Sequence, residues 1–93
     1  MNTKAKGSRN ERKTIKLLES VGYSCMKAGA SLGVFDVIGI SSADMVCVQV
    51  KSNRWPSSAE METIQLFSVP PNCRKLVHRW DDRKSLPQTK EMK

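Results

Sequence analysis

The stretch Phe35–Lys51, FDVIGISSADMVCVQVK, constrains this chain more than any other. Phe35–Ser41 and Met45–Ser52 are rich in β-branched side chains, which predicts two strands, and Ser41-Ser-Ala-Asp44 supplies the turn residues between them. Alternate side chains of a strand share a face. Asp36 therefore lies with Ile38 and Ile40 on the first strand. On the second, Val46, Val48 and Val50 form one face, and Cys47, Gln49 and Lys51 form the other. The valine face reads as core. The opposite face ends in an amide and an ammonium, which strand pairing brings near Asp36. A carboxylate, an amide oxygen and a lysine converging at strand ends form a chemical arrangement that a simple core strand does not need.

The rest of the chain supplies what such a pair of strands must pack against. Ser8-Arg-Asn-Glu11 matches a capping box, which predicts a helix from there to about Val21, stopped by Gly22. Glu11 falls on the same helical face as Ile15 and Leu18, so it points toward the sheet, while Arg9, Arg12, Lys13 and Lys16 decorate the other sides. Glu11 admits two readings that do not exclude each other: a helix cap, or a third carboxylate aimed at the Asp36 site. Tyr23–Ala28 reads as a strand, and Gly29-Ala-Ser-Leu-Gly33 as a flexible loop that delivers the chain to Asp36. Beyond Lys51, Ser52–Pro56 is a loop, and Ser57-Ser-Ala-Glu60 is a second capping box opening a helix over about Ala59–Ser68, ended by Pro70-Pro71. Arg74–Trp80 reads as a strand and Asp81-Asp82-Arg83 as a turn. Met1–Gly7 and Ser85–Lys93 are polar and expected to be loose, leaving one domain over residues 1–93.

Charge narrows the class of partner. Sixteen Lys and Arg against nine Asp and Glu give a formal charge of +7, a balance that suits a polyanion, nucleic acid before an anionic membrane surface. No apolar run approaches the roughly 18 residues of a membrane span, and no apolar leader is expected at the N-terminus. Cys25, Cys47 and Cys73 lack metal-ligand spacing and read as reduced thiols of an intracellular, cytoplasmic protein. His78 reads as a packed or hydrogen-bonded histidine, and Asp81-Asp82 as a solvated turn, because adjacent residues on an extended chain point apart. Trp55 and Trp80 read as packing residues, with Trp55, beside Arg54, open to stacking on a base or sugar.

The order helix, strand, strand, strand, helix, strand resembles the PD-(D/E)XK nuclease superfamily, and within it the small archaeal-type Holliday junction resolvases and their phage relatives. The likeness runs from about Ser8 to Arg83. It is carried by Ser8-Arg-Asn-Glu11-Arg, Lys27-Ala-Gly-Ala-Ser31, Val34-Phe-Asp36-Val-Ile and Val48-Gln49-Val-Lys51-Ser. The resemblance implies an α/β fold of mixed sheet, the restriction-endonuclease-like αβββαβ core, and a metal-dependent DNA endonuclease.

The same resemblance implies roles. Asp36, Gln49 and the Val50 backbone carbonyl would hold Mg²⁺, with Mn²⁺ as a substitute, and Glu11 would reach the metal directly or through water. Lys51 would orient or deprotonate the attacking water, or stabilise charge on the phosphorus centre. Lys27 and Ser31 would contact the scissile strand. Two positions depart from the family pattern: Gln49 replaces the usual acid, and Val34-Phe35 stands where the family has a proline before the aspartate. An amide oxygen can ligate a hard cation but brings no negative charge.

Phosphodiester hydrolysis asks for an activated water and relief of phosphate charge, both of which a divalent metal supplies. Arg9, Arg12, Lys13 and Lys16 on the first helix, together with Arg54, would track DNA phosphates. A chain of this size presents one site, so symmetric cutting of two strands calls for a homodimer. Two rival readings remain: a non-catalytic nucleic-acid-binding module on the same fold, and a different small basic domain in which Asp36 and Lys51 form a structural ion pair.

Overall fold

The computed structural model describes residues 3–29 and 33–92. In chain order the elements are α1 (Thr3–Ser20), β1 (Ser24–Lys27), β2 (Val37–Ile40), β3 (Met45–Ser52), α2 (Ser58–Leu66), β4 (Cys73–Trp80) and β5 (Gln88–Met92). The five strands form one sheet in the order β1-β2-β3-β4-β5. Neighbours are antiparallel except β3 and β4, which run parallel because α2 crosses between them. The mixed α/β sheet and the αβββαβ order agree with the sequence reading, and β5 is an addition to it.

Both faces of the sheet are covered. On one, Leu18 and Ile15 of α1 pack over Val37, Val46, Val48 and Leu76. On the other, Ile64 of α2 packs with Phe35, Cys47, Cys73 and Val77. Phe35, Val37, Val46, Val48, Ile64 and Val77 have no exposed surface. Each such side chain contributes roughly 1.5–3 kcal/mol by leaving water. The expectation of one core face and one chemical face on β3 is thus corrected. Cys47 is core, and only the far end of its face, at Gln49 and Lys51, escapes α2's apolar residues.

Two termini also differ from expectation. α1 begins at Thr3, so Ser8 and Glu11 lie within the helix and do not cap it. The early turns are held from outside by Lys6, whose ammonium lies 2.8 Å from Asp82 on the β4–β5 connection. At its other end α1 stops as the glycine predicts: Gly22 adopts φ 102°, a left-handed conformation that costs glycine little. The C-terminal segment is not loose, because Gln88–Met92 pairs antiparallel with β4 from Arg79↔Gln88 to Lys75↔Met92. Met1, Asn2 and Lys93 lie outside the described residues.

The second capping box is present. Ser57 Oγ accepts from Glu60 N at 3.2 Å, and Glu60 Oε1 accepts from Ser57 N at 2.9 Å. The opposite end of α2 is closed by an unexpected partner. Lys75 of β4, only 8% exposed, donates to the Gln65 and Phe67 carbonyls at 2.8 and 3.0 Å. An ammonium there satisfies carbonyls the helix leaves open and complements its dipole. Among the described residues, no helix is long and apolar enough to cross a membrane.

Candidate active site

Asp36 stands one residue before β2, where the chain has already joined β3 through Asp36 N to Val48 O at 2.8 Å. Its side chain closes a clasp on the same strand: Oδ2 accepts from Val50 N, also at 2.8 Å. Burial pushes this carboxyl above its ordinary value. The Val50 bond and the Lys51 charge pull it back, and the Glu11 charge adds to the upward push. Glu11 therefore acts on Asp36 from α1, as its helical face predicts, although it caps nothing.

Gln49 and Lys51 follow on the face of β3 that points to α2. Gln49 is 7% exposed, and its Oε1 is buried without a hydrogen-bond partner. A buried amide oxygen left in that state costs roughly 1–3 kcal/mol, so it marks a position where a ligand, water or ion belongs. Lys51 Nζ lies 3.3 Å from Glu60 Oε2, with the lysine side chain mostly buried. Glu60, whose other oxygen holds Ser57 N, is fixed by the cap and carried to Lys51 by α2. The Ser57 bond is the main reason its carboxyl falls below the usual range, and Lys51 adds to the effect.

The sequence did not offer Glu60 as a site residue. Its only signal was the capping spacing, which says where α2 starts and nothing of which strand the carboxylate meets. Lys27, expected at the scissile strand, is placed beside Glu11: its Nζ is 3.6 Å from Glu11 Oε1 and donates to Ser8 Oγ at 2.9 Å. Arg54 is exposed in the loop after β3, and Arg9, Arg12, Lys13 and Lys16 are exposed on α1. Ser31 lies outside the described residues.

What holds α1 over the site is a buried polar seam. Asn10 Nδ2 donates to Ser52 Oγ at 2.6 Å, one residue past Lys51. Thr14 Oγ1 accepts from Trp80 Nε1 at 2.8 Å and lies 3.1 Å from His78 Nδ1. Since the threonine oxygen receives the indole proton, its own proton is available to the imidazole. Burial pushes His78 down to about 4, so the ring is neutral and serves the seam, as the packed reading of this histidine expected. Asp81 and Asp82 are likewise turn residues, bonded to Arg79 and Lys6.

The donor chemistry fits a hard divalent cation. Among the described residues, no three acidic, imidazole or thiol side chains converge on a metal position. The available set is instead an oxygen set: the Asp36 carboxylate, the partnerless Gln49 Oε1, the Val50 carbonyl and, from α1, Glu11. Oxygen donors of this kind suit Mg²⁺ or Mn²⁺ rather than a soft metal.

Comparison with known proteins gives the family and the fold. The family model for the archaeal Holliday junction resolvase (Hjc) matches residues 2–66. In the solved structures the fold is similar to Archaeoglobus fulgidus Hjc, a Holliday junction resolvase from an archaeal hyperthermophile. The TM-score is 0.69 at 19% identity, over 94% of this chain and 71% of that one. No curated protein matches.

Proposed function

Because the chain belongs to the archaeal Holliday junction resolvase family, whose members are structure-selective DNA endonucleases, we propose that it hydrolyses phosphodiesters in four-way DNA junctions using Mg²⁺ or Mn²⁺. The observation that carries this reading is the buried, partnerless Oε1 of Gln49, one strand across from the Asp36 carboxylate clasped to Val50. Asp36, Gln49, the Val50 carbonyl and Glu11 would hold the cation. When bound, it relieves phosphate charge and makes a nearby water more acidic.

The protein's own groups do the rest. The Val50 N–H keeps Asp36 oriented without spending both carboxylate oxygens. Lys51 Nζ, steadied by Glu60, orients the attacking water or neutralises charge gathering on the phosphate. Lys27 and Ser31 would meet the strand being cut, and Arg9, Arg12, Lys13, Lys16 and Arg54 other phosphates. We further propose a homodimer, since one site per chain cuts one strand. Support for a self-contact comes from Met26 and Ile40, which are 63% and 52% exposed beside Ile38 on a part of the sheet that α2 leaves bare.

The test is cleavage of a four-way junction, a linear duplex and a single strand, each with Mg²⁺, Mn²⁺ or a chelator, with Lys51→Ala as control. Metal-dependent cutting confined to branched DNA and lost in Lys51→Ala is expected. Tight junction binding with no cutting in either metal would return the chain to a binding module.

A further inference from the structure

Lys6, Arg9, Lys13 and Lys16 are spaced three, four and three residues apart, which draws one line along a helix of about 3.6 residues per turn. The line extends roughly 15 Å along α1. It falls nearly half a turn around the helix from Glu11, the residue that faces Asp36. These cations therefore look away from the catalytic edge and toward the β4–β5 connection.

That connection meets them with more positive charge. A cleft of about 330 Å³ separates Lys6, Arg9 and Lys13 from Arg83, with Trp80 as part of its wall. A second hollow of about 490 Å³ continues it past Lys13 and Trp80 to Lys16 and Lys84. The carboxylates alongside are already engaged. Asp82 holds Lys6 at 2.8 Å, while Asp81 is turned to Arg79 at 2.9 Å and to Gln88 at 3.1 Å. The turn is fixed in place, since Asp82 N donates to Asn53 Oδ1 at 2.9 Å and Lys84 N to Asp81 O at 3.2 Å. Among the described residues, no carboxylate forms an ion pair with Arg9, Lys16 or Lys84, and Arg83 has only the nearby charge of Asp82, itself held by Lys6. Trp80 is 3% exposed, so it offers no face for an unstacked base.

We infer that this groove between α1 and the β4–β5 turn binds the phosphate backbone of a second duplex segment, an arm of the junction other than the one carrying the phosphodiester at Asp36. A line of cations without a stacking platform suits duplex backbone rather than single strands. A site directed half a turn away from Glu11 cannot hold the strand being cut. A branched substrate, unlike a linear one, presents a second duplex at an angle to the first, so this surface gives the fold a means of favouring branches. The inference rests on the junction-cutting reading and adds to it where the remaining arm is held.

The experiment is done without divalent metal. Junction affinity is measured against salt for the wild type and for the Arg9→Gln/Lys16→Gln/Lys84→Gln variant, with circular dichroism to check folding. Separately, a Lys84→Cys variant in a Cys25→Ser background carries a benzophenone, and its cross-links are mapped on a junction with each arm labelled. The expected result is a slope of log affinity on log salt shallower by about 2–3, with cross-links in an arm that does not carry the cut phosphodiester. An unchanged slope, or cross-links confined to nucleotides flanking the cut, would overturn the inference, as would capture by anionic vesicles with junction binding unaffected. The salt slope needs no cleavage, so an unchanged slope counts against the groove and failure to cut DNA counts against the nuclease reading; the cross-link map is read against the cut position found separately with Mg²⁺ or Mn²⁺.

Discussion

Lys51 Nζ and Glu60 Oε2 lie 3.3 Å apart, a contact that ties the last polar residue of the β3 site to the first turn of α2. The same glutamate closes the capping box through its other oxygen, so the lysine is held by a carboxylate that is itself held. Glu60→Gln keeps a side-chain oxygen for the cap, since glutamine serves a capping box as well. It removes the charge that restrains Lys51. The expected outcome is single-turnover cleavage slowed several-fold, with stability changed by less than about 1 kcal/mol because the pair is partly exposed. Cleavage rates and chemical melts check it. A variant that cuts at the wild-type rate would leave Glu60 as a helix cap only.

Asp36 shows the cost of building such a site. Its carboxyl is raised by burial and by Glu11. A raised acid contributes stability at low pH that is lost as pH rises through its folded value. At neutral pH the charge therefore weighs against the fold. Asp36→Asn removes that charge, and the amide oxygen can still accept from Val50 N. The variant should lose cleavage, melt at a higher temperature than wild type near pH 7, and still bind junction DNA, because phosphate contacts come mainly from Lys and Arg. Thermal melts and gel-shift titrations measure both. Full activity would remove Asp36 from the site.

His78 predicts an acid-side weakness. Its folded value near 4 lies below the ordinary 6.5. The unfolded chain therefore binds the extra proton first, and stability is complete above about pH 6.5 and declines as pH falls toward 4. The loss should reach about 3 kcal/mol. Urea melts across that range, compared with His78→Gln, isolate the contribution. A His78→Gln variant with the same acid decline would assign it to carboxylates instead. Thr14→Val belongs to the same seam. It strands Trp80 Nε1 and His78 Nδ1 and should cost roughly 1–3 kcal/mol for each group left unsatisfied.

The proposed self-contact is tested at Met26. The Met26→Glu/Ile40→Glu pair places charge on the uncovered face without touching either buried cluster. If two copies meet there, sedimentation should show the wild type as a dimer and the variant as a monomer. A variant that stays dimeric would move the contact elsewhere on the surface.

Period and capping made much of this legible beforehand. The alternation around Asp36 and Gln49-Val-Lys51 identified the strands and set these residues at neighbouring positions of β2 and β3, and Ser57-Ser-Ala-Glu60 located α2. The N-terminal start was misread because Ser8-Arg-Asn-Glu11 carries a start signal, whereas the helix is extended upstream by Lys6 reaching Asp82, a contact across most of the chain. β5 was missed because Gln-Thr-Lys-Glu-Met lacks apolar alternation, and it pairs through its backbone on an open edge. The Glu60–Lys51 pair, the Lys75 cap on α2 and the orientation of the α1 cations depend on how helices lie over the sheet, which local pattern does not encode.

Gln49 is where charge and coordination pull in opposite directions. Its buried oxygen is without a partner, and the other acids near it are Asp36 and, through α1, Glu11. A hard dication gains from ligand charge at fixed geometry, so Gln49→Glu should tighten Mg²⁺ binding and lower the metal concentration for half-maximal cleavage. Without metal the new carboxylate is buried beside Asp36, and like charges at close range raise each other's affinity for protons. The metal-free variant should therefore be less stable than wild type near neutral pH and recover on acidification or on adding Mg²⁺. Calorimetric titration with Mg²⁺, cleavage against metal concentration and melts with and without metal measure the three effects together. Tighter binding with a destabilised metal-free state would put Gln49 in direct contact with the ion. Unchanged titration curves with the same loss of stability would mean that its oxygen faces a buried water and that the metal is held without it, by Asp36, the Val50 carbonyl and Glu11.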